Sequence, residues 1–205
     1  MKIINKKKEA IQELKRISSR TISDANNKTN AVVQEILLEV KNYGDIAVEK
    51  YTKKFDGFNP NPMKVSATQL KDAWNEIDDN LKRSLELAHK RIKKFHEKEI
   101  PASFTIKGKH GDKVQRRWRP VKNAGIYIPG GRAAYPSTVL MNAIPATVAG
   151  VEEIIMVSPG NKEGKINKTV LAAAHLSGIN KVFRIGGAQA IGALAFGTNQ
   201  IKKVD

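Results

Sequence analysis

Three short apolar runs, each closed by proline or glycine and separated by helix-length stretches, constrain this chain more than any other feature. They are "AGIYIP" (124–129), "EEIIMVSP" (152–159) and "NKVFRIGG" (180–187). Helical spacing of apolar residues fills Pro136–Ala149 and roughly Ile166–Ser177, and a third helix, Ala188–Ala195, follows the last run. Strands connected through helices of this length make a parallel sheet with right-handed crossovers, because a tight hairpin can join only antiparallel neighbours. Near-continuous β-branched runs suit strands covered on both faces. The proline and glycine corners then gather at the carboxyl edge of the sheet, the edge at which open α/β folds bind ligands.

The first hundred residues follow a different grammar. Ala10, Ile11, Leu14 and Ile17 fall on one helical stripe, and "TNAVVQEILLEVKNYG" repeats the pattern from about Asn30 to a stop at Gly44. A shorter helix, "DIAVEKYTKKFDG", ends at Gly57, and "NPNP" (59–62) reads as a turn or linker. Ser66 and Gln69 have the spacing of a capping box, and Asn80–Lys98 is a long amphipathic helix. "SFTIKG" and "KVQRRWRPV" alternate like the strands of an antiparallel ribbon that turns near "KHGD". The expected organisation is a helical region with a ribbon over 1–120 and a parallel α/β unit over 121–205. The fold class is therefore α/β, with an incomplete Rossmann-like sheet.

Two corners carry candidate chemistry. Pro129-Gly130-Gly131 allows backbone to approach a ligand without a Cβ in the way, and the helix after it offers free N–H groups that favour an anion. "RIGGAQAIGALAFG" (184–197) repeats the device, with Gln189 in the first helical turn. Gln189 could bind a cofactor amide or ribose, or merely cap its own helix. Neither corner matches G-x-G-x-x-G.

The histidines are less promising. His89 and His96 share one side of the long helix, yet at ~1.5 Å rise per residue they stand about 10 Å apart, too far to hold one metal. His110 falls in a turn and His175 near a helix end. No acid–base set can be assembled from these residues.

Charge and cysteine content narrow the classes further. The chain has no cysteine, which excludes disulfides and thiolate catalysis and fits a reducing cytoplasm. No run approaches the ~18 apolar residues of a membrane span. The net charge of +16 invites a nucleic-acid reading, but the basic residues are 27 Lys against 9 Arg. Base and phosphate forks favour Arg, so a solvated lysine surface is expected and no nucleic-acid partner. The excess concentrates at 101–150, with 8 basic residues against 1 acidic.

At these residues the chain resembles the histidinol dehydrogenase family. "GIYIPGGRAAYPSTVLMNAIPATVAGVEEIIMVSP" and "VFRIGGAQAIGALAFGT" are similar to that family's hallmark segments, and "NYGDIAVEKYTKKFDGF" to its N-terminal helical region. The resemblance implies an NAD-dependent, zinc-containing, cytoplasmic enzyme of histidine biosynthesis. Such an enzyme oxidises L-histidinol through the aldehyde to L-histidine, reduces two NAD and works as a homodimer. It implies that Tyr127 and Gln189 contact NAD, and it suggests an aldehyde-dehydrogenase-like sheet by analogy.

The family's Glu-His catalytic pair and its zinc ligands match no position here, so no catalytic or metal residue is named. Members run to about twice this length, so a fragment or half-enzyme is expected, inactive alone and in need of a homodimer or downstream half. A sheet ending after its third strand should leave an apolar edge unpaired. The alternatives are a non-catalytic NAD-binding or interaction module and, further off, a basic nucleic-acid-binding protein.

Overall fold

A computed structural model describes residues 4–18, 24–130 and 134–205. Five helices come first: α1 (Lys7–Ser18), α2 (Asp24–Tyr43), α3 (Asp45–Asp56), α4 (Ala67–Glu76) and α5 (Asp79–His96). A ribbon follows, β1 (Phe104–Lys107) and β2 (Lys113–Arg116). The α/β unit is then β3 (Asn123–Tyr127), α6 (Pro136–Ala149), β4 (Glu153–Val157), α7 (Lys168–Leu176), β5 (Lys181–Phe183) and α8 (Gly187–Phe196). Strands β3, β4 and β5 pair in that order and both pairings are parallel. The α/β class and the β-α-β-α-β-α alternation stand as the sequence predicts.

Helix ends show why the elements lie where they do. Ser66 Oγ accepts from the Gln69 N–H at 3.1 Å while Gln69 Oε1 accepts from the Ser66 N–H at 2.9 Å, the reciprocal cap that the spacing predicts. Asp78 takes the N–H groups of Asn80 and Leu81 at the start of α5. Proline opens α6 at its first turn, where no N–H is required, and Gly150 closes it with φ 90°. Helix α2 begins earlier than the expected Asn30, at Asp24: its first turns are polar, so apolar periodicity could not register them.

The sheet is buried on both faces, and the period of two along each strand divides its side chains between two cores. Met156, Ile126 and Val182 pack with Leu70, Leu85, Leu140 and Ala173. Ile155, Val157 and Phe183 pack with Ile36, Val48, Tyr51 and Ala193 on the other side. Helices of the first hundred residues thus cover both faces of the sheet together with α6, α7 and α8. Each fully buried aliphatic side chain contributes roughly 1.5–3 kcal/mol, so the two layers hold the strands in one register. By contrast, the apolar stripe of α1 (Ile11, Leu14, Ile17) is exposed.

The edges differ from expectation in an instructive way. The "NPNP" linker leads into a segment that pairs antiparallel with β5 through Lys64 and Phe183. The Val65 N–H donates to Val182 O at 2.8 Å and the Arg184 N–H to Met63 O at 2.9 Å. The β5 edge is therefore covered. At the opposite edge, among the described residues, Asp205 engages the start of β3: Asp205 Oδ2 accepts from the Lys122 and Asn123 N–H groups at 2.8 and 2.9 Å, and the Asp205 N–H donates to Asn123 O at 3.1 Å. The expectation of an unpaired edge after the third strand is therefore corrected: three residues beside a proline are too short for period-two alternation to reveal the segment that pairs with β5.

Candidate functional site

The corners after the three strands touch one another. A Cβ on Gly130 would meet Pro159 Cγ at 2.5 Å, and one on Gly186 would meet Pro159 Cβ at 2.6 Å. Pro159, at the tip of the central strand, is wedged between the corner glycines of both neighbours. Real Cβ atoms do not approach so closely, so glycine is required at both places. Gly131 and the two residues after it lie outside the described residues, so the full Pro-Gly-Gly corner is represented by Pro129 and Gly130. Pro159 was visible in the sequence as the end of its run; its role as a wedge was not, because strand order decides what it meets.

Tyr127 is the last residue of β3 and is partly buried against the core that includes α8. The Gly187 N–H, in the first turn of α8, donates to Tyr127 Oη at 3.0 Å. The helix has no side-chain cap of its own, so the phenol satisfies one of the N–H groups that a helix start leaves free. Gly187 has φ 62°, and a Cβ there would lie 2.6 Å from Gln189 Oε1. Glycine at this point therefore serves both the turn and the close passage of the glutamine side chain.

Gln189 is only 1% exposed, and neither Oε1 nor Nε2 has a hydrogen-bond partner. The possibility that it caps its own helix is thereby removed. An unpartnered buried amide costs about 1–3 kcal/mol, and such an orphan needs an explanation. Tyr127 and Gln189 thus flank the same helix start. The candidate site consists of a proline-wedged glycine cradle, a helix N-terminus and a buried carboxamide with one donor and one acceptor side unmet. That combination fits a ligand bearing an anionic group and a polar edge.

The histidines lie elsewhere. His96 lines a cavity of about 440 Å³ with Trp118, Pro145 and Val148, and His89 a neighbouring one of about 380 Å³ with Ile144 and Ser177. Both cavities involve the carboxyl half of α6, away from its start near the corners. His96 Nδ1 is engaged by the Glu99 carboxylate, while burial, reinforced by Lys93, lowers the His89 pKa. The His175 ring sits 6.4 Å from that of Trp74. Among the described residues no group of three or more His, Asp or Glu side chains could hold a metal, and no helix is long and apolar enough to cross a membrane.

Fold and site together define an α/β protein with a candidate ligand crevice at the carboxyl ends of a parallel sheet. Comparison with known proteins is specific. A family model described as histidinol dehydrogenase matches residues 19–205. A histidinol dehydrogenase of Prochlorococcus marinus (strain MIT 9312) is 86% identical over 205 residues, covering 100% of this chain and 47% of that protein. One from Aquifex aeolicus is 52% identical over 175 residues, 84% of this chain and 40% of its own length. The crystal structure of histidinol dehydrogenase from Elizabethkingia anophelis superposes with a TM-score of 0.82 at 39% identity, over 86% of this chain and 41% of that one. The chain belongs to the histidinol dehydrogenase family, and it spans about half the length of the curated relatives that it matches.

Proposed function

We propose that this chain supplies part of the NAD crevice of an enzyme that oxidises L-histidinol to L-histidine in histidine biosynthesis. The observation that carries the reading is the buried, unpartnered Gln189 beside the Tyr127-capped start of α8. NAD, when bound, accepts the hydride. The chain's own residues do three things for it. The α8 N-terminus and the glycine cradle receive a charged or polar portion of the dinucleotide close to backbone. Tyr127 presents a ring and a hydroxyl at the strand end. Gln189 offers a carboxamide whose amide hydrogens and oxygen can both be satisfied by a ribose or carboxamide edge.

Oxidation of an alcohol also needs a base for its proton. We assign that base, and the zinc ligands that the family resemblance implies, to polypeptide outside this chain, because no position here matches the family's Glu-His pair or its metal residues. No step is routed through zinc. In this reading residues 121–205 form the NAD-binding unit, L-histidinol is the substrate, and the active assembly is a homodimer completed by the second half of the family's length. Cytoplasmic residence is supported by the lack of cysteine.

The test is to supply residues equivalent to the missing half from the Prochlorococcus relative and to follow NADH formation with L-histidinol. Turnover is expected from the combined halves and none from either half. Calorimetric titration with NAD should show binding that Gln189→Ala weakens about five- to tenfold, the worth of one or two hydrogen bonds. Full activity and affinity in Gln189→Ala would remove this residue from the crevice.

A further inference from the structure

Arg184 is a half-buried cation that the crevice does not use, although it stands two positions before the cradle glycine Gly186. Val182 belongs to one core, and Phe183 and Ile185 to the other. The period of two along the chain therefore puts Arg184 on the face of α4 and α7, opposite α8 and Gln189. There it lines a cavity of about 460 Å³ with Gln69, Asp72, Glu76, Lys165 and Lys168. Arg184 thus meets the crevice from behind and not through a ligand held at the start of α8.

Its hydrogen bonds go to backbone carbonyls. Nε donates to Pro62 O at 2.7 Å, and Nη1 makes a longer contact with Gly164 O at 3.4 Å. The Arg184 N–H donates to Met63 O at 2.9 Å. A planar guanidinium can address carbonyls of two separate segments at once, which the single ammonium of a lysine does poorly.

Both segments shape the crevice. Pro62 leads into the Met63–Val65 stretch that closes the β5 edge. Gly164 closes the loop that begins with the wedge proline. In that loop the Gly164 N–H donates to Asn161 O at 2.8 Å and the Asn161 N–H to Lys165 O at 2.9 Å. Asn161 Oδ1 accepts from the Glu163 and Lys165 N–H groups at 3.0 and 2.9 Å. A Cβ on Gly160 would meet the Gly164 carbonyl carbon at 2.8 Å, so the two sides of the loop touch. Phe58 presses on Gly164 as well, where a Cβ would lie 2.7 Å from its ring. The loop is a self-bonded unit with Pro159 at its root, and a shift of the Gly164 carbonyl passes through it to the wedge.

We propose that Arg184 is a positioning residue for the cofactor crevice: by bonding Pro62 O and Gly164 O it fixes the edge segment and the wedge loop relative to the strand that carries Gly186. This rests on the reading that the crevice takes NAD. It adds the residue that sets the crevice from the far face of the sheet.

The experiment uses the full 205-residue chain, by itself for calorimetric titration with NAD and combined with the second half of the 86%-identical Prochlorococcus relative for NADH formation. Arg184→Ala is expected to raise the Kd and the KM for NAD about five- to tenfold, within the range by which residues without ligand contact modulate a site. The kcat and the KM for L-histidinol should stay within about twofold. A loss of folded protein would lower kcat and leave both KM values alone, so the split separates positioning from stability. Arg184→Lys, able to reach one carbonyl at a time, should recover part of the affinity. Lys168→Ala removes a neighbouring cation, paired with Glu76 at 3.3 Å, from the same cavity and should leave NAD binding within about twofold.

Unchanged NAD affinity and KM in Arg184→Ala overturn the proposal, as does an equal rise from Lys168→Ala or no gain of Arg184→Lys over alanine. Should the unaltered chain neither bind NAD nor support turnover, the proposed function fails alone and hydrogen exchange decides on Arg184. The Gly187 amide, bonded to Tyr127 Oη, should then exchange at least about threefold faster in Arg184→Ala while the Asn123 amide at the other end of the sheet is unchanged. Equal exchange of Gly187 in both chains sinks the positioning role alone.

Discussion

The two ends of the parallel sheet are built on opposite principles. At the amino end most polar groups find hydrogen-bond partners. Glu153 pairs with Lys181, and its other oxygen lies 3.6 Å from Lys202 Nζ, ion-pair distance but beyond a hydrogen bond. Lys202 Nζ donates to Asn123 Oδ1 at 3.0 Å, and Asp205 holds the backbone of Lys122 and Asn123. At the carboxyl end the chain leaves Gln189 buried with both polar atoms unmet and brings three backbone corners together on a single proline. One end is largely satisfied, with Glu153 Oε1 held by ion pairing alone, and fastens the returning chain to β3. The other is left unsatisfied, and unmet polar groups held in place by a packed scaffold are what a ligand site requires.

Substitutions can break this contrast, and the largest effect is expected at the wedge. Gly186→Ala should destabilise the protein by about 1–3 kcal/mol, the cost of overpacking a site that cannot move. Because Gly186 has an extended backbone, φ −133°, the loss would come from the Pro159 contact and not from dihedral strain. Thermal unfolding checks it, and an unchanged midpoint would mean that the corners are looser than described.

Gln189→Leu should do the reverse. Removing both orphaned atoms while keeping the volume is expected to stabilise the chain by about 1–2 kcal/mol while NAD titration shows weakened binding. A variant that loses stability would show that the amide is satisfied in solution and the contrast between the ends is false. Tyr127→Phe deletes the acceptor for the Gly187 N–H, and a loss of about 1 kcal/mol is expected, with faster hydrogen exchange at that amide as the local readout.

The smallest effect belongs to the amino end and depends on pH. Lys181 hydrogen-bonds Glu153 and lowers its pKa, and the backbone N–H of Asn123, followed by that of Lys122, lowers that of Asp205. A carboxylate whose folded pKa is depressed contributes stability above its unfolded pKa and loses it as pH falls through the folded value. Acidification below the ordinary carboxylate range should therefore loosen the 201–205 segment before the crevice changes, seen as faster exchange of the Asn123 amide relative to Gly187. Asp205→Asn should remove most of that pH dependence.

Much of this architecture was legible beforehand. Strand and helix order followed from runs and spacings that are local by nature, the Ser66–Gln69 cap from a three-residue interval, and the meeting of Tyr127 with the start of α8 from the rule that parallel strands present their ends together. The edge strand at Met63–Val65 escaped because three residues carry no readable period and their partner is more than a hundred positions away. The bond from Asp205 to Asn123 escaped because its partner lies 82 positions away and no local pattern marks it. That the histidines on α5 share one side was legible, but not that His89 and His96 stand on cavity walls, since helix phase says which residues share a side and not what covers it.

What the sequence determined by itself was the alternation that makes a parallel sheet and the residue types at its tips, because backbone preference and side-chain periodicity act over a few positions. What only the tertiary structure decided was which groups end up satisfied: that Pro159 fills the space two glycines vacate, that the Tyr127 hydroxyl and not Gln189 caps α8, and that the ribbon's apolar face stays bare. Hydrogen-bond satisfaction and burial depend on which distant segments arrive at the same place, and no local pattern encodes that arrival.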